Sequence, residues 1–489
     1  MNASLQDSPL YQVLNPKSVV FFGASNRFTA MGSHQLNSLL EMGFPGPVYP
    51  VHPKEKTVQG LTAYGSAADL PETPDLAVMV LPTDLVADAL AQCGRKGIKR
   101  AVIVSGGFNE AGPQGTGKEQ ELLKVAREYG IRLVGPNCIG VANPHHGLNT
   151  AFHVYDAKPG FIGMASQSGS FVTQMYQYMK PLGLGFSAAV SVGNQADLDL
   201  LDCLEYLAED PNTKVIALYV EGLKRGREFM EAARRISPKK PIVAYYVGGS
   251  ETGRKAGFSH TGALAGPDKV YDGLFRQAGI VRAASVEELF NFAWVLGSCP
   301  PMAGRDMLVL THSGGPGAAL ADALGRAGLR LSELSAQSLA RLEGLVPKTA
   351  SLANPVDLTF TKDPLAYAGA LPAALIKDEN SQGMIMYTLL PGEKAERVLK
   401  EMGVPESETP AVAAQMAREQ RDSLARISRE GDKPFIGFTF WGYSDPMVAG
   451  LREIGFPVLD GPVAAARSMA ALASYSEMRQ RILASRAAD

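Results

Sequence analysis

One histidine lies in a stretch of small residues at 257–266, where the sequence reads Gly-Phe-Ser-His-Thr-Gly-Ala-Leu-Ala-Gly. His260 has Ser259 and Thr261 as neighbours, so a bulky anion could approach the imidazole ring. Imidazole can act as a nucleophile that forms a covalent intermediate, and a strand-like run at 241–247 precedes this loop. The pattern suggests phosphoryl chemistry at His260. The alternative is a loop histidine that makes one hydrogen bond.

A carboxylate and two glycine-serine turns could assist such chemistry. Glu221 follows the predicted strand 215–220, and ligands usually bind at the carboxyl ends of parallel strands. The alternative for Glu221 is a solvated charge at a strand end. The turns at 166–170 and 312–317 each follow a predicted strand and precede a predicted helix, whose first amides favour an anion. Because both turns repeat one plan, the sequence favours a fold built of repeated α/β units.

The N-terminal part has a related but incomplete signal. A predicted strand at 18–22 ends in Gly23-Ala-Ser25, which resembles a nucleotide-binding turn without the full glycine pattern. The second predicted strand, 48–51, is followed by Lys54, where enzymes that bind NAD place an acid for the ribose. This lysine favours a phosphorylated ligand and counts against an NAD dehydrogenase. The alternative is that Lys54 is a solvated turn residue.

The elements that would position these residues are short apolar runs separated by helical patterns. Such alternation predicts an α/β fold with parallel sheets and right-handed crossovers. A chain of 489 residues is too long for a single core, since domains usually hold about 100–200 residues. We expect three domains, at residues 1–145, 146–300 and 301–489, the last ending in an Ala-rich helix.

Composition excludes several classes of function. The net charge of −2 gives no basic excess for nucleic acid, and no apolar run approaches the roughly 20 residues that span a membrane. The four cysteines are scattered without the spacing of a metal site, and the first twelve residues lack the apolar core of a signal peptide. We therefore expect a cytoplasmic protein without a metal bound by its own side chains.

Taken together, the motifs resemble the NDP-forming acyl-CoA synthetase superfamily, which includes succinyl-CoA synthetase and the ADP-forming acetyl-CoA synthetases. The resemblance extends from Leu14 to about Leu472. Seven motifs carry it, in this order: Gly23-Ala-Ser25, Ser105-Gly-Gly-Phe108, Gly135-Pro-Asn-Cys138, Ser166-Gln-Ser-Gly169, Glu221-Gly222, residues 259–266 and Ser313-Gly-Gly-Pro-Gly317.

The resemblance implies a Rossmann-like CoA-binding domain followed by two flavodoxin-like domains. It also implies that His260 carries the phosphoryl group and that Glu221 orients its imidazole. Both turns would then hold phosphate from two sides, through Ser168, Gly169, Gly314, Gly315 and Gly317. The residues that would contact CoA are Gly23, Ser25 and Lys54 at its phosphates, Leu81 and Pro82 at the adenine, and Gly135, Pro136 and Asn137 at the thioester end.

The implied reaction interconverts a carboxylic acid, CoA and ATP with acyl-CoA, ADP and phosphate through an acyl phosphate and phosphohistidine. The sequence shows no ATP-grasp part and no GxxxxGK[ST] motif. We therefore expect an α-type subunit in an oligomer, whose ATP-grasp β-type partner binds most of ATP or ADP with Mg²⁺. The alternative is a non-catalytic CoA-binding or regulatory protein that lacks the ATP half-reaction.

The residues do not name the acid. The acyl pocket is expected near Asn137, Cys138, Phe152 and the loop at 191–197. Cys138 is as well explained by packing as by a redox role.

Overall fold

The computed structural model describes residues 5–156, 158–253, 266–359, 364–388 and 392–488. His260 and the loop around it lie outside the described residues. The chain divides into two compact units, one of residues 1–180 and 184–289 and the other of residues 181–183 and 290–489. In the described residues, the first unit holds two large sheets and a two-stranded hairpin, and the second unit holds one sheet.

The first sheet has five parallel strands in the order β2-β1-β5-β6-β7, and β3 and β4 form a separate hairpin. Every residue of β1 and β5 is buried, as expected for central strands covered on both faces. The strands are β1 (Val19–Phe22), β2 (Val48–Val51), β3 (Thr57–Val58), β4 (Leu61–Thr62), β5 (Leu76–Met79), β6 (Arg100–Ile103) and β7 (Arg132–Val134).

The second sheet has the order β14-β13-β12-β10-β11-β8-β9, and its five strands from β10 to β14 are parallel. The hairpin of β8 and β9 pairs antiparallel with β11 at one edge and spans the predicted domain boundary after residue 145. The strands are β8 (Val141–Asn143), β9 (Leu148–Asn149), β10 (Ile162–Ser166), β11 (Phe186–Ser191), β12 (Val215–Val220), β13 (Ile242–Tyr246) and β14 (Ile280–Ala283). The predicted boundaries themselves stay predictions.

The helices of the first unit pack on both sheets, and one continuous buried core includes Leu14, Val102, Val190 and Leu204. The α-helices up to residue 278 are α1 (Tyr11–Leu14), α2 (Met31–Glu41), α3 (Thr83–Lys96), α4 (Pro113–Tyr129), α5 (Gly169–Met179), α6 (Leu200–Glu209), α7 (Gly226–Ile236) and α8 (Asp268–Ala278). Short 3-10 helices lie at Leu5–Asp7, Ala67–Asp69, Asn109–Ala111, Pro144–His146 and Lys180–Leu182.

The third sheet is parallel in the order β16-β15-β18-β19-β20, and β17 pairs with the end of β15. Its strands are β15 (Asp306–Thr311), β16 (Arg330–Leu331), β17 (Val356–Asp357), β18 (Gly383–Tyr387), β19 (Phe435–Thr439) and β20 (Val458–Asp460). The remaining helices are α9 (Val286–Ser298), α10 (Gly314–Arg326), α11 (Ala336–Leu342), α12 (Pro364–Ala368), α13 (Ala370–Leu375), α14 (Gly392–Glu401), α15 (Thr409–Glu430), α16 (Pro446–Glu453) and α17 (Gly461–Ala488).

The predicted α/β class with parallel sheets is confirmed. None of the helices in the described part of the chain has the length and apolar content that a membrane crossing needs.

Candidate active site

The turn after β1 requires glycine at its first position. Gly23 has a φ of +92°, and a Cβ there would lie 1.9 Å from the carbonyl oxygen of Val80. Ser25 is held by Ser33 on α2, whose hydroxyl accepts from the Ser25 amide at 3.0 Å and donates to the Ser25 carbonyl at 2.9 Å. The turn therefore passes close to the neighbouring strand and opens towards α2, a geometry that suits phosphate binding.

Strand β2 of the first sheet leads into the segment that contains Lys54, and this segment contacts the turn after β1. Lys54 is exposed, and the carboxylate of the adjacent Glu55 accepts from the Asn26 side chain at 2.6 Å. Leu81 is half-buried and Pro82 is exposed after β5. These positions surround the carboxyl edge of the first sheet, so the predicted CoA residues of this domain share one edge.

Two turns pack against each other where the first and second sheets meet. The amides of Asn194 and Ala196 donate to the carbonyls of Pro136 and Gly135, at 2.9 and 3.0 Å respectively. The Asn137 amide donates to the Ser105 carbonyl at 2.9 Å. The loop at 191–197, which was expected near the acyl pocket, therefore lies directly on the turn expected at the thioester end.

Side chains extend this contact into a polar network. Asn137 Nδ2 donates to Asn194 Oδ1 at 3.2 Å, and Asn194 Nδ2 donates to Glu110 at 2.6 Å and to Glu119 at 3.0 Å. Glu110 also accepts from the Gly107 amide of the Ser-Gly-Gly-Phe motif. Sequence reasoning missed Glu110, Glu119 and the role of Asn194, although the loop that contains Asn194 had been singled out.

The other two residues expected near the acyl pocket have different surroundings. Cys138 is buried, its thiol donates to the Ile103 carbonyl at 3.2 Å, and burial raises its pKa to about 12. A thiol that stays protonated favours packing over redox chemistry. The ring of Phe152 lies 5.1 Å from that of His34 on α2.

Glu221 is held at the carboxyl edge of the second sheet by a side chain from a neighbouring strand end. The amides of Glu221 and Gly222 donate to Gln167 Oε1 at 2.6 and 3.0 Å. Gln167 belongs to the turn between β10 and α5, and β10 pairs directly with β12. The structure thus brings together Glu221 and the turn of Ser168 and Gly169, which are more than 50 residues apart in sequence.

The chain on both sides of the histidine loop lies at this same edge. β13, which leads to the loop, pairs with β12. On the returning side, the Tyr246 hydroxyl at the end of β13 donates to the Gly266 carbonyl at 2.7 Å. His260 itself lies outside the described residues.

The second predicted phosphate turn repeats the hydrogen bonds of the first. Ser166 Oγ donates to the Ser168 carbonyl at 2.8 Å and accepts from the Ser168 amide. Thr311 Oγ1 bonds the Ser313 carbonyl and amide in the same way, at 2.7 and 3.1 Å. The Ser166 and Thr311 hydroxyls each bind the residue just before a helix, Ser168 and Ser313 respectively. The two turns therefore share their local geometry as well as their sequence pattern.

Helix α10 begins earlier than expected. The sequence suggested a helix from residue 318, but α10 starts at Gly314, so the glycines form its first turn. Gly314 and Gly315 are exposed, whereas Gly317 is buried against Thr311. His312, just before this turn, stacks on Tyr387 with ring centroids 4.9 Å apart. This group of residues lies in the second unit.

The chain is similar in sequence and fold to known proteins. A family model described as a CoA binding domain matches residues 17–144, and one described as a succinyl-CoA ligase like flavodoxin domain matches residues 159–296. The chain is 38% identical over 431 residues to the α subunit of an ADP-forming acetate–CoA ligase I from Pyrococcus furiosus, covering 86% of this chain and 93% of that one. The chain therefore belongs to the family of ADP-forming acyl-CoA synthetases, as the motifs suggested.

Two further relatives define the extent of the match. An ADP-forming acetate–CoA ligase I from Archaeoglobus fulgidus is 37% identical over 463 residues, which cover 95% of this chain but only 63% of that protein. A structure of Ca. Korarchaeum cryptofilum acetyl-coenzyme A synthetase 1 in complex with phosphate and ADP has a TM-score of 0.85 and 32% identity, and the match covers 97% of this chain and 98% of that one. The chain thus spans nearly all of a relative named as a subunit and less than two thirds of a longer relative.

Proposed function

We propose that this chain is the α-type subunit of an ADP-forming acyl-CoA synthetase. The observation that carries the proposal is the convergence at one edge of the second sheet. There the carboxylate-bearing end of β12, the turn that opens α5 and the two flanks of the histidine loop lie side by side. The thioester turn at 135–137 belongs to the same compact unit.

The proposed chemistry begins at the thioester. A phosphate oxygen attacks the acyl carbonyl carbon, the carbon–sulfur bond breaks, and CoA leaves as a thiolate that takes up a proton. At the turn of Ser168 and Gly169, the Gly169 amide and the N-terminus of α5 stabilise the phosphate with donors already in place. Gly135, Pro136 and Asn137 hold the thioester end of the substrate. The products of this step are an acyl phosphate and CoA.

The second step transfers the phosphoryl group within the protein. An imidazole nitrogen of His260 attacks phosphorus, and the bond to the carboxylate oxygen breaks, which releases the acid. Glu221 orients the imidazole and stabilises its positive charge. Two in-line transfers replace one difficult exchange.

The final step requires a partner. In the proposal, an ATP-grasp subunit binds ADP with Mg²⁺, and this ADP accepts the phosphoryl group from His260 to form ATP.

The residues present fit a CoA site, because a glycine turn at Gly23 and an exposed Lys54 occupy the same edge of the first sheet. The second turn, at Gly314 and Gly315, supplies free helix amides for phosphate in the second unit.

A coupled assay tests the proposal. The chain is mixed with a separately purified ATP-grasp subunit, acetyl-CoA, phosphate, ADP and Mg²⁺, and ATP formation is followed, then repeated with a panel of other acyl-CoA substrates. We expect ATP from at least one substrate and none with His260→Ala. CoA binding without ATP formation from any substrate would favour the non-catalytic CoA-binding protein instead.

A further inference from the structure

Lys224 connects the two halves of the proposed active site. It lies three residues after Glu221, in the segment between β12 and α7. Its ammonium donates to the carbonyl oxygens of Asn194 at 2.9 Å and Gln195 at 2.7 Å. Hydrogen bonds from a charged donor are stronger than those between neutral groups, so these two contacts hold the segments firmly.

The turn that Lys224 holds is the one that packs on the thioester turn. Gly193 has a φ of +52°, and a Cβ there would lie 2.3 Å from the Pro136 carbonyl oxygen. The Asn194 side chain accepts from Asn137. A displacement of residues 193–195 would therefore move the backbone and the side chain that orient the thioester end.

The partly buried ammonium of Lys224 lies near two carboxylates. Loss of hydration lowers the pKa of Lys224, and the carboxylates of Glu119 and Asp199 oppose that effect. Arg225, the residue after Lys224, binds the same region of the chain, because its guanidinium donates to Asp199 at 2.7 Å and to Asp202 at 2.6 Å. Both basic side chains thus tie the segment after Glu221 to residues 194–202.

We infer that Lys224 is a positioning residue that couples the Glu221 end of β12 to the turn supporting Asn137. This inference rests on the proposed function for its catalytic meaning. In this proposal, Glu221 orients the imidazole and Asn137 holds the thioester end. Lys224 keeps these two residues in a fixed position relative to each other during both transfers.

Kinetics of Lys224→Met test this inference, with Lys240→Met as the matched control. Lys240 also donates to two carbonyls, Leu207 at 2.9 Å and Asp210 at 2.8 Å, but it precedes β13 at the opposite edge of the sheet. We expect Lys224→Met to lower kcat at least tenfold with the KM for CoA changed less than about threefold, since uniform binding is kept. Lys240→Met should stay within about twofold of wild type, and Lys224→Arg should recover most of the lost rate.

A double-mutant cycle separates positioning from general damage. If Lys224 acts through Glu221, the variant with both Glu221→Gln and Lys224→Met should have nearly the rate of Glu221→Gln alone, because coupled effects are not additive. Multiplied losses would overturn the inference. So would equal rates for Lys224→Met and Lys240→Met.

Hydrogen exchange provides a readout that does not depend on activity. Lys224→Met should accelerate amide exchange in both the 193–196 and 221–224 segments, and Lys240→Met should leave them unchanged. Unchanged exchange in Lys224→Met would overturn the coupling itself. An inactive wild-type chain with the expected exchange pattern would instead reject the proposed function and keep the coupling.

Discussion

At the scale of single residues, the position of Glu221 depends on an amide that carries no charge. Gln167 Oε1 accepts from two successive amides, at 2.6 and 3.0 Å, and so fixes the strand end that bears the carboxylate. The motif containing Gln167 was recognised from sequence, but it suggested only an anion-binding turn. The link to Glu221 depends on the pairing of β10 with β12, which joins residues far apart in the chain.

Gln167→Met should slow phosphorylation of His260 at least tenfold, about 1.4 kcal/mol in transition-state free energy. The reason is that methionine keeps the size of the side chain but supplies no strong acceptor for the two amides. Rapid-quench measurement of phosphohistidine formation gives the rate. Gln92→Met on α3, where the Gln92 side chain donates to Asp88 at 2.8 Å on the surface, serves as control. Equal rates for the two variants would remove Gln167 from the account.

Glu221→Gln should also slow phosphoryl transfer at least tenfold, about 1.4 kcal/mol, because an amide cannot balance the charge of the imidazolium. The same quench experiment measures it, with CoA affinity as the control readout. Turnover equal to that of wild type would show that Glu221 is a bystander.

At the scale of elements, strands formed by an apolar run could be predicted from the sequence, whereas strands that lack such a run could not. The predicted runs at 48–51 and 215–220 coincide with the strands β2 and β12. The hairpin of β8 and β9 was missed because its strands have only three and two residues and contain asparagine. Such strands are specified by pairing with β11 and carry little local signal.

The residues at which helices begin and end were also difficult to predict from the sequence. The charged sequence from Glu393 to Arg429 is compatible with a helix, and it forms two helices, α14 and α15, which are separated by residues 402–408. Likewise, the glycines at the start of α10 were assigned to a turn because glycine has a low helix propensity. At a helix N-terminus, however, a small residue leaves the first amides open, and this position tolerates glycine.

The packing of the two turns predicts that Gly193 is sensitive to a single methyl group. Gly193→Ala should lower the rate of thioester cleavage at least tenfold, because its Cβ would collide with the Pro136 carbonyl and its φ is positive. Gly226→Ala at the start of α7 is the control, since a Cβ there meets nothing within 4 Å. Acyl-CoA cleavage in the presence of arsenate isolates this half-reaction. If both alanine variants cleave acyl-CoA equally fast, the two turns do not support the thioester site.

At the scale of the whole molecule, the chain holds two compact units and matches 93% of a relative named as a subunit. The longer relative from Archaeoglobus fulgidus has additional sequence outside the match. The motifs predicted the CoA-binding domain and the flavodoxin-like domain that follows it, whereas the division of the chain into three domains stays a prediction. Periodicity alone gave only the α/β class, because the same strand and helix pattern serves many unrelated functions.

The proposal of a separate partner predicts that phosphorylation by ATP needs two proteins. The chain incubated with ATP and Mg²⁺ should gain no phosphate, and addition of an ATP-grasp subunit should produce it, since the proposal places the nucleotide on that subunit. Intact-mass analysis before and after addition checks this. Full phosphorylation of the chain alone would show that it binds nucleotide itself.

The most direct test of the central claim maps the phosphate within this complex. The account predicts one acid-labile, base-stable phosphate on His260, and no such phosphate in His260→Ala, which should still bind CoA within a few-fold of wild type. A His260→Ala variant that still carries phosphate on nitrogen, or a wild-type complex that makes ATP without a phosphorylated histidine, would contradict the account.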